Sequence, residues 1–396
     1  MNLSLYLTAA SLGLLPSLYS QQPDFQYKEK SAHDRNVRHQ NHPGTGRKSP
    51  EQRQGDTKQT AANSGLPSSD RAEPTAKRAD QVTPPTTNLP ARPPLTEALN
   101  FWVMGDALLW QAHEENLTYA YKSDATASFS TLKGLDFDWD WGFRVALGYN
   151  APRDGWDLSL LWTHIENHAE DHLHADADSS NLILPVWNIN DVGIGGPITQ
   201  ARAHWNVNLE QVDFALGKEY YVGKYLTLRP NGGLRADWIY QTYDMTYNFL
   251  VVPGFPQRFN MTNRFFGLGF FAGVDSDWML GRGFSIYGMA DFATLLGFFD
   301  VDQKVRQASP LTGFDQKGSI DSSLRCGRGV LDLTLGFKWS HLCRNNSWGI
   351  TLKAGYEYHV YFDQNQFSLM ANATKYFKPD GDLTYQGLAL SGQIDF

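Results

Sequence analysis

The chain has 396 residues, 41% of them hydrophobic and 13% aromatic, and a formal net charge of −8 at pH 7. A mean hydropathy of −0.43 excludes a helical membrane protein, and beyond the extreme N-terminus no apolar run is long enough to span a bilayer as a helix. An aromatic-rich chain of low mean hydropathy fits strands that alternate apolar and polar residues, because alternation hides hydrophobicity from an average.

Leu3 to Leu18 is short and mostly apolar, with Pro16, Ser17 and Ser20 before Gln21, and reads as the core and cleavage zone of a secretory signal over residues 1–20. A buried helix is the other reading, but the segment that follows has nothing to pack against it. No cysteine stands near the cleavage zone, so a lipid anchor is not expected. Residues 21–97 are rich in Pro, Ser, Thr, Gln and Asn, with 12 Lys and Arg against 9 Asp and Glu. Such a segment cannot bury enough surface to offset its ordering entropy, and a disordered periplasmic spacer is expected.

From residue 98 the pattern changes to period 2. Phe137, Trp139, Trp141, Phe143, Val145, Leu147 and Tyr149 form one apolar row, with Asp138, Asp140 and Arg144 between them. The same division sets Leu226, Leu228, Leu234, Ala236, Trp238 and Tyr240 against Arg229, Arg235, Asp237 and Gln241. It sets Leu331 through Trp339 against Asp332, Thr334 and Lys338, and Trp348 through Val360 against Lys353, Glu357 and His359. The last strand ends Leu388, Leu390, Gly392, Ile394, Phe396 on one face. Recurrent strands with one apolar and one polar face are what a transmembrane barrel needs, lipid outside and a polar lumen inside.

Tight connections at Asn150–Gly155, Val222–Lys224, Leu280–Gly283 and Leu342–Ser347 alternate with long ones at Ser123–Asp136, Glu166–Gln200, Tyr243–Arg258, Asp300–Ser323 and Asp363–Asp380. Short turns at one end and long loops at the other give ten strands: near 101–122, 137–149, 156–165, 201–221, 225–242, 259–279, 284–299, 324–341, 348–362 and 382–396. The expected fold is therefore all-β, a transmembrane antiparallel up-and-down barrel over 98–396. Its even strand number puts both barrel ends on the periplasmic side of the cell outer membrane.

The opening Gly105-Asp106-Ala107-Leu108-Leu109-Trp110-Gln111-Ala112-His113-Glu114-Glu115-Asn116-Leu117-Thr118-Tyr119-Ala120 resembles the first-strand motif of the Legionella-type major outer membrane protein family. Trp141-Gly142-Phe143-Arg144-Val145-Ala146-Leu147-Gly148-Tyr149-Asn150, Tyr225-Leu226-Thr227-Leu228-Arg229-Pro230 and Gly233-Leu234-Arg235-Ala236 resemble it too. The likeness covers roughly residues 101–396 and implies a pore-forming outer-membrane barrel, with relatives in chlamydia-related bacteria. It implies nothing for residues 21–97. The terminal Phe396 also resembles the signal read by the barrel-assembly machinery, which with outer-membrane lipid is an expected partner.

A lumen of mixed charge is expected from Asp138, Asp140, Arg144, Asp157, Arg229, Arg235, Asp237, Asp275, Asp291, Asp332, Lys338, Lys353, Glu357 and His359. In so narrow a barrel these side chains either line a channel for small solutes or pair and fill the interior of a structural envelope protein. The alternative is an omptin-like barrel protease, or an adhesin acting through its outer loops. There is no Gly-x-Ser-x-Gly, His-Glu-x-x-His or phosphate loop, so no catalytic residue, cofactor or nucleic-acid partner is expected.

Two further readings remain. If the stretch from His164 to Asp176 were helical, His164, His168 and His172 would share a face, with His174 beside them, as imidazole ligands for zinc, copper or nickel. A solvated acidic loop is the plainer reading. Cys326 is placed at the outer end of the eighth strand and Cys343 in the turn after it, on the order of 50 Å apart if extended, too far for a bridge. Each stays free or, as the family likeness implies, cross-links to another envelope protein.

Overall fold

The computed structural model describes residues 95, 99–123, 130–152, 155–175, 182–187, 196–250, 253–308, 315–343, 346–372, 375–377 and 380–396. The expected signal segment, residues 1–20, and residues 21–94 lie outside the described residues. Among those described, all regular structure is β. The ten long strands are β1 (Phe101–Glu114), β2 (Trp139–Asn150), β3 (Trp156–His174), β4 (Ile198–Lys218), β5 (Leu226–Phe249), β6 (Gln257–Gly281), β7 (Phe284–Ala308), β8 (Asp315–Cys343), β9 (Trp348–Tyr361) and β10 (Leu383–Asp395).

Each of these strands pairs antiparallel with the next, and β10 pairs with β1 through Leu390 opposite Ala107. The ring therefore has no free edge, as a strand system in lipid requires. A backbone bond from Phe396 N to Phe101 O at 2.8 Å ties the two chain ends together at what we call the near end.

Alternation sets the two faces. Outward on β2, Trp141 is 68% exposed and Leu147 55% exposed, whereas Ala146 between them is buried. The exposed apolar surface forms a band bounded by aromatic residues: Phe101, Trp156, Trp278, Phe284 and Phe396 near the chain ends, and Trp139, Trp162, Trp238, Tyr240 and Phe298 farther up. Paired aromatic belts of this kind mark the two interfaces of a bilayer.

In three of the expected long loops the flanking strands run on well past their expected ends. β3 runs to His174, β4 begins at Ile198, β5 reaches Phe249 and β6 starts at Gln257, while β7 and β8 extend to Ala308 and from Asp315. The sequence reading has the fourth strand begin at 201, but it cuts the third, fifth, seventh and eighth strands short near 165, 242, 299 and 324. The alternation in fact continues with its polarity inverted. Ala201, Ala203, Trp205, Val207 and Leu209 are buried inward, and Arg202, His204, Asn206, Asn208 and Glu210 face out. Above the apolar band the outside is polar, and it is the inside that needs apolar residues.

The first strand is shorter than expected, ending at Glu114 instead of near 122. The chain then feeds a small three-stranded sheet of Ala120–Ser123, Ser130–Lys133 and Leu182–Pro185 over the far end. Phe137 does not continue the apolar row of β2. It belongs to a two-residue bridge, Asp136–Phe137, paired with Glu170 and Ala169, and packs edge-on to Trp205 at 5.6 Å. Cys326 lies in the middle of β8, opposite Gly297, and Cys343 is that strand's last residue.

Candidate functional site

The candidate site is the barrel interior, which divides into two layers. Nearer the chain ends is a layer of ion pairs. Arg144 on β2 donates to Asp106 on β1 at 3.1 Å and to Glu357 on β9 at 2.9 Å. Arg229 on β5 joins Asp157 on β3 at 2.5 Å and Asp275 on β6 at 2.6 Å. Arg235 on β5 joins Asp213 on β4 at 2.8 Å and Asp332 on β8 at 2.5 Å. His359 links the first and third groups, with Nδ1 at 2.8 Å from Asp332 and Nε2 at 3.4 Å from Glu357. Lys338 meets Asp277 at 2.5 Å, and Lys353 lies 5.9 Å from the Tyr287 ring centre.

Local sequence explains how such bulky groups fit. A Cβ at Gly217 would strike the Arg229 guanidinium, so the glycine gives Arg229 its path between two strands. Gly273 likewise leaves room for the carboxylate of Asp291. Trp110 covers the layer, its ring centre 4.5 Å from that of His359 and 5.6 Å from the Arg144 guanidinium carbon.

Several of these contacts cross the lumen. Tyr361 on β9 donates its hydroxyl to Gln211 Oε1 on β4 at 3.1 Å, between strands five places apart in a ring of ten. Gln241 on β5 donates to Glu114 on β1 at 3.0 Å.

Above them lies an apolar layer filled by the connections. Leu117, Tyr119, Ile183, Trp187 and Phe367 are buried against Trp205, Tyr243, Tyr247 and Phe249 of the tall wall. Their backbone groups are satisfied by that wall, as burial demands: Tyr243 donates to Leu117 O at 2.8 Å, Tyr247 to Tyr119 O at 2.7 Å and Asn263 to Gln364 O at 3.3 Å. Asn365 donates to Glu115 O at 2.7 Å, fastening one connection to the other. Burial and the Asp171 carboxylate, which accepts from it at 2.9 Å, push the Tyr119 hydroxyl well above its ordinary range.

Of the residues expected in the lumen, Arg144, Arg229, Arg235, Asp237, Asp291, Asp332, Lys338, Lys353, Glu357 and His359 occupy inward positions of their strands. Asp138 does not: it is exposed, between the short bridge and β2, and its N–H donates to His168 O at 3.2 Å. Asp140 serves the same irregularity, accepting from the His168 N–H at 2.9 Å where β2 and β3 part. Asp106, Asp213, Gln211, Tyr361 and Glu114 went unnoticed in the sequence. Asp213 was findable, since Val212, Phe214 and Leu216 flank it with the same alternation.

The histidine run is corrected. His164, His168, His172 and His174 lie on a strand, so the first three are spread over about 26 Å instead of stacking on a helix. His164 faces Glu210 at 2.7 Å and His168 faces Asp140 at 3.3 Å. Among the described residues no three His, Cys, Asp or Glu side chains are grouped to hold a metal.

Comparison with curated proteins finds no match for this chain. Among solved structures it is similar to the outer membrane protease OmpT from Escherichia coli, at 10% identity and a TM-score of 0.39 over 78% of this chain and 99% of that one. It is also similar to a Pseudomonas aeruginosa FadL homologue, at 7% identity and a TM-score of 0.25 over 75% and 89%. The toluene transporter TodX of P. putida is a third, at 9% identity and a TM-score of 0.27 over 76% and 91%. Likenesses this remote say nothing about activity. The family of the Legionella pneumophila major outer membrane protein precursor matches residues 93–396, and the chain belongs to that family as a β-barrel of the cell outer membrane.

Proposed function

We propose that this protein is a structural barrel of the outer membrane, closed to free solute diffusion in its ground state. The observation that carries the reading is the Tyr361 to Gln211 hydrogen bond at 3.1 Å between opposite walls. A diffusion pore keeps its centre free for water, whereas here side chains meet across it. The near end faces the periplasm in this reading. Outer-membrane lipid surrounds the band, and the assembly machinery engages β10 and its terminal Phe396.

The interior acids suit filling better than catalysis. Asp213 and Asp332 are held by Arg235, and Asp157 and Asp275 by Arg229, which leaves them poorly placed to take a proton from a substrate. Passive diffusion of small solutes is the second reading, favoured by the polar near layer, and it requires the far layer to move.

Planar-bilayer recording of the refolded full chain separates the two. The structural reading expects no steady conductance steps. Large, long-lived steps from the wild-type protein would replace it with a diffusion pore.

A further inference from the structure

On the tall wall, outward side chains of neighbouring strands fall into register rows. In one of them His172 lies opposite Arg202, Arg202 opposite Thr246, Thr246 opposite Arg258, and Arg258 opposite Arg306. The register carries the row on to Lys317 on β8. His172, Arg202, Arg258 and Arg306 are all exposed, and the row contains no acidic residue.

Like charges placed directly opposite on adjacent strands repel. Elsewhere on the same outer surface the fold neutralises its cations, as with Arg264 and Asp300 at 3.5 Å and Lys304 and Asp302 at 2.5 Å. In the row below, Asp244 accepts from Asn260 at 2.7 Å and Glu170 lies opposite His204. Among the described residues no carboxylate forms an ion pair with Arg202, Arg258 or Arg306. Among the described residues, the opposed pair Arg258 and Arg306 therefore has no anion of the chain beside it.

Height and direction identify where that anion comes from. Phe266 and Phe298, the last apolar outward residues of β6 and β7, lie eight positions below Arg258 and Arg306. That is about 26 Å along the strand, and roughly 20 Å above the apolar band once the usual barrel tilt is included. The side chains point sideways, away from the barrel axis. With the near end facing the periplasm, as proposed above, they enter the layer of the sugar headgroups of the outer leaflet, above its acyl chains and beside the protein.

We propose that this row, Arg202, Arg258 and Arg306 with His172 at its edge, binds the anionic sugar headgroup of outer-leaflet glycolipid. Guanidinium forks match the paired oxygens of phosphate and carboxylate groups. Adjacent strands, about 4.8 Å apart, offer the cations to successive acidic groups of one headgroup.

The test titrates the refolded full chain in detergent micelles with purified lipopolysaccharide, with inorganic phosphate and a zwitterionic phospholipid in parallel. Wild type is expected to retain lipopolysaccharide through size-exclusion chromatography, with an affinity that falls as salt rises. The Arg202→Gln, Arg258→Gln, Arg306→Gln triple variant is expected to lose about tenfold or more in affinity. Its heat-modifiable migration reports whether it is folded. If it is not, Arg258→Gln alone is titrated, with a partial loss expected. Unchanged lipopolysaccharide binding by either folded variant overturns the proposal. Equal retention of the zwitterionic lipid, or full competition by inorganic phosphate, also overturns it, by removing the headgroup as the ligand.

Discussion

Arg235 shows how the interior holds together. Its guanidinium is almost wholly buried between Asp213 and Asp332, and it lies over the Phe271 ring at 5.2 Å. Burying an ion pair gives little net stability because desolvation offsets attraction, but removing one partner leaves the others charged and uncompensated. Arg235→Ala strands two carboxylates, and Asp332 keeps only His359. The expected loss is about 3–5 kcal/mol, read as a lower urea midpoint for unfolding of the refolded barrel. Asp213→Asn in the same background should recover part of it, since it deletes one of the stranded charges. A midpoint unmoved by Arg235→Ala would mean that water reaches this cluster and the interior is not filled.

At the scale of the strand, the apolar band was legible, whereas the tall wall was read as strand only in part, as over 201–210, and its dry face was not assigned. Trp141 to Tyr149 and Leu331 to Trp339 announced themselves because lipid demands apolar residues on the outward positions, and period 2 then assigned Arg144, Asp332 and Lys338 to the inside. The run Ala201 to Glu210 alternates as cleanly, but its apolar positions are the odd-numbered, inward ones. Without the plug that covers them, nothing in the sequence says which side is dry. Glu166 to His174 was harder still, because its charged residues suggest a loop until Ile165, Asn167, Ala169 and Leu173 are seen to face inward. The ion pairs were legible as charge but not as partners, since they join strands far apart in sequence. A paired substitution tests the phase. Val207 is buried inward and its neighbour Asn208 faces out. Val207→Asp should cost several kcal/mol by burying an unpaired charge and should lower the temperature at which the folded band is lost in electrophoresis, while Asn208→Asp leaves it within about 0.5 kcal/mol. Equal, small effects would mean that the inward face of this strand is not dry.

For the whole molecule, the closed barrel proposed above makes the two interior layers seals in series, and that has a measurable consequence. The upper seal includes residues 364–367, which are buried and belong to the connection between β9 and β10. Tyr361 and Leu383 are register partners at the ends of those strands. A two-residue Asn-Gly turn can therefore replace residues 362–382 and leave the hairpin intact. That replacement removes Phe367 from beside Tyr243 and Gln364 from beside Asn263, thinning the far layer to the side chains of the other two connections. The ion-pair layer beneath remains, with Arg144 still spanning from β2 to β9. The loop replacement alone and Arg144→Ala alone are each expected to give a bilayer current close to that of an empty membrane. The double variant should show brief, small conductance steps, because it alone loosens both layers while Tyr361 and Gln211 still meet across the lumen. Steps in the loop-replaced protein by itself would show that the charged layer passes ions and that the β9–β10 connection alone seals the barrel.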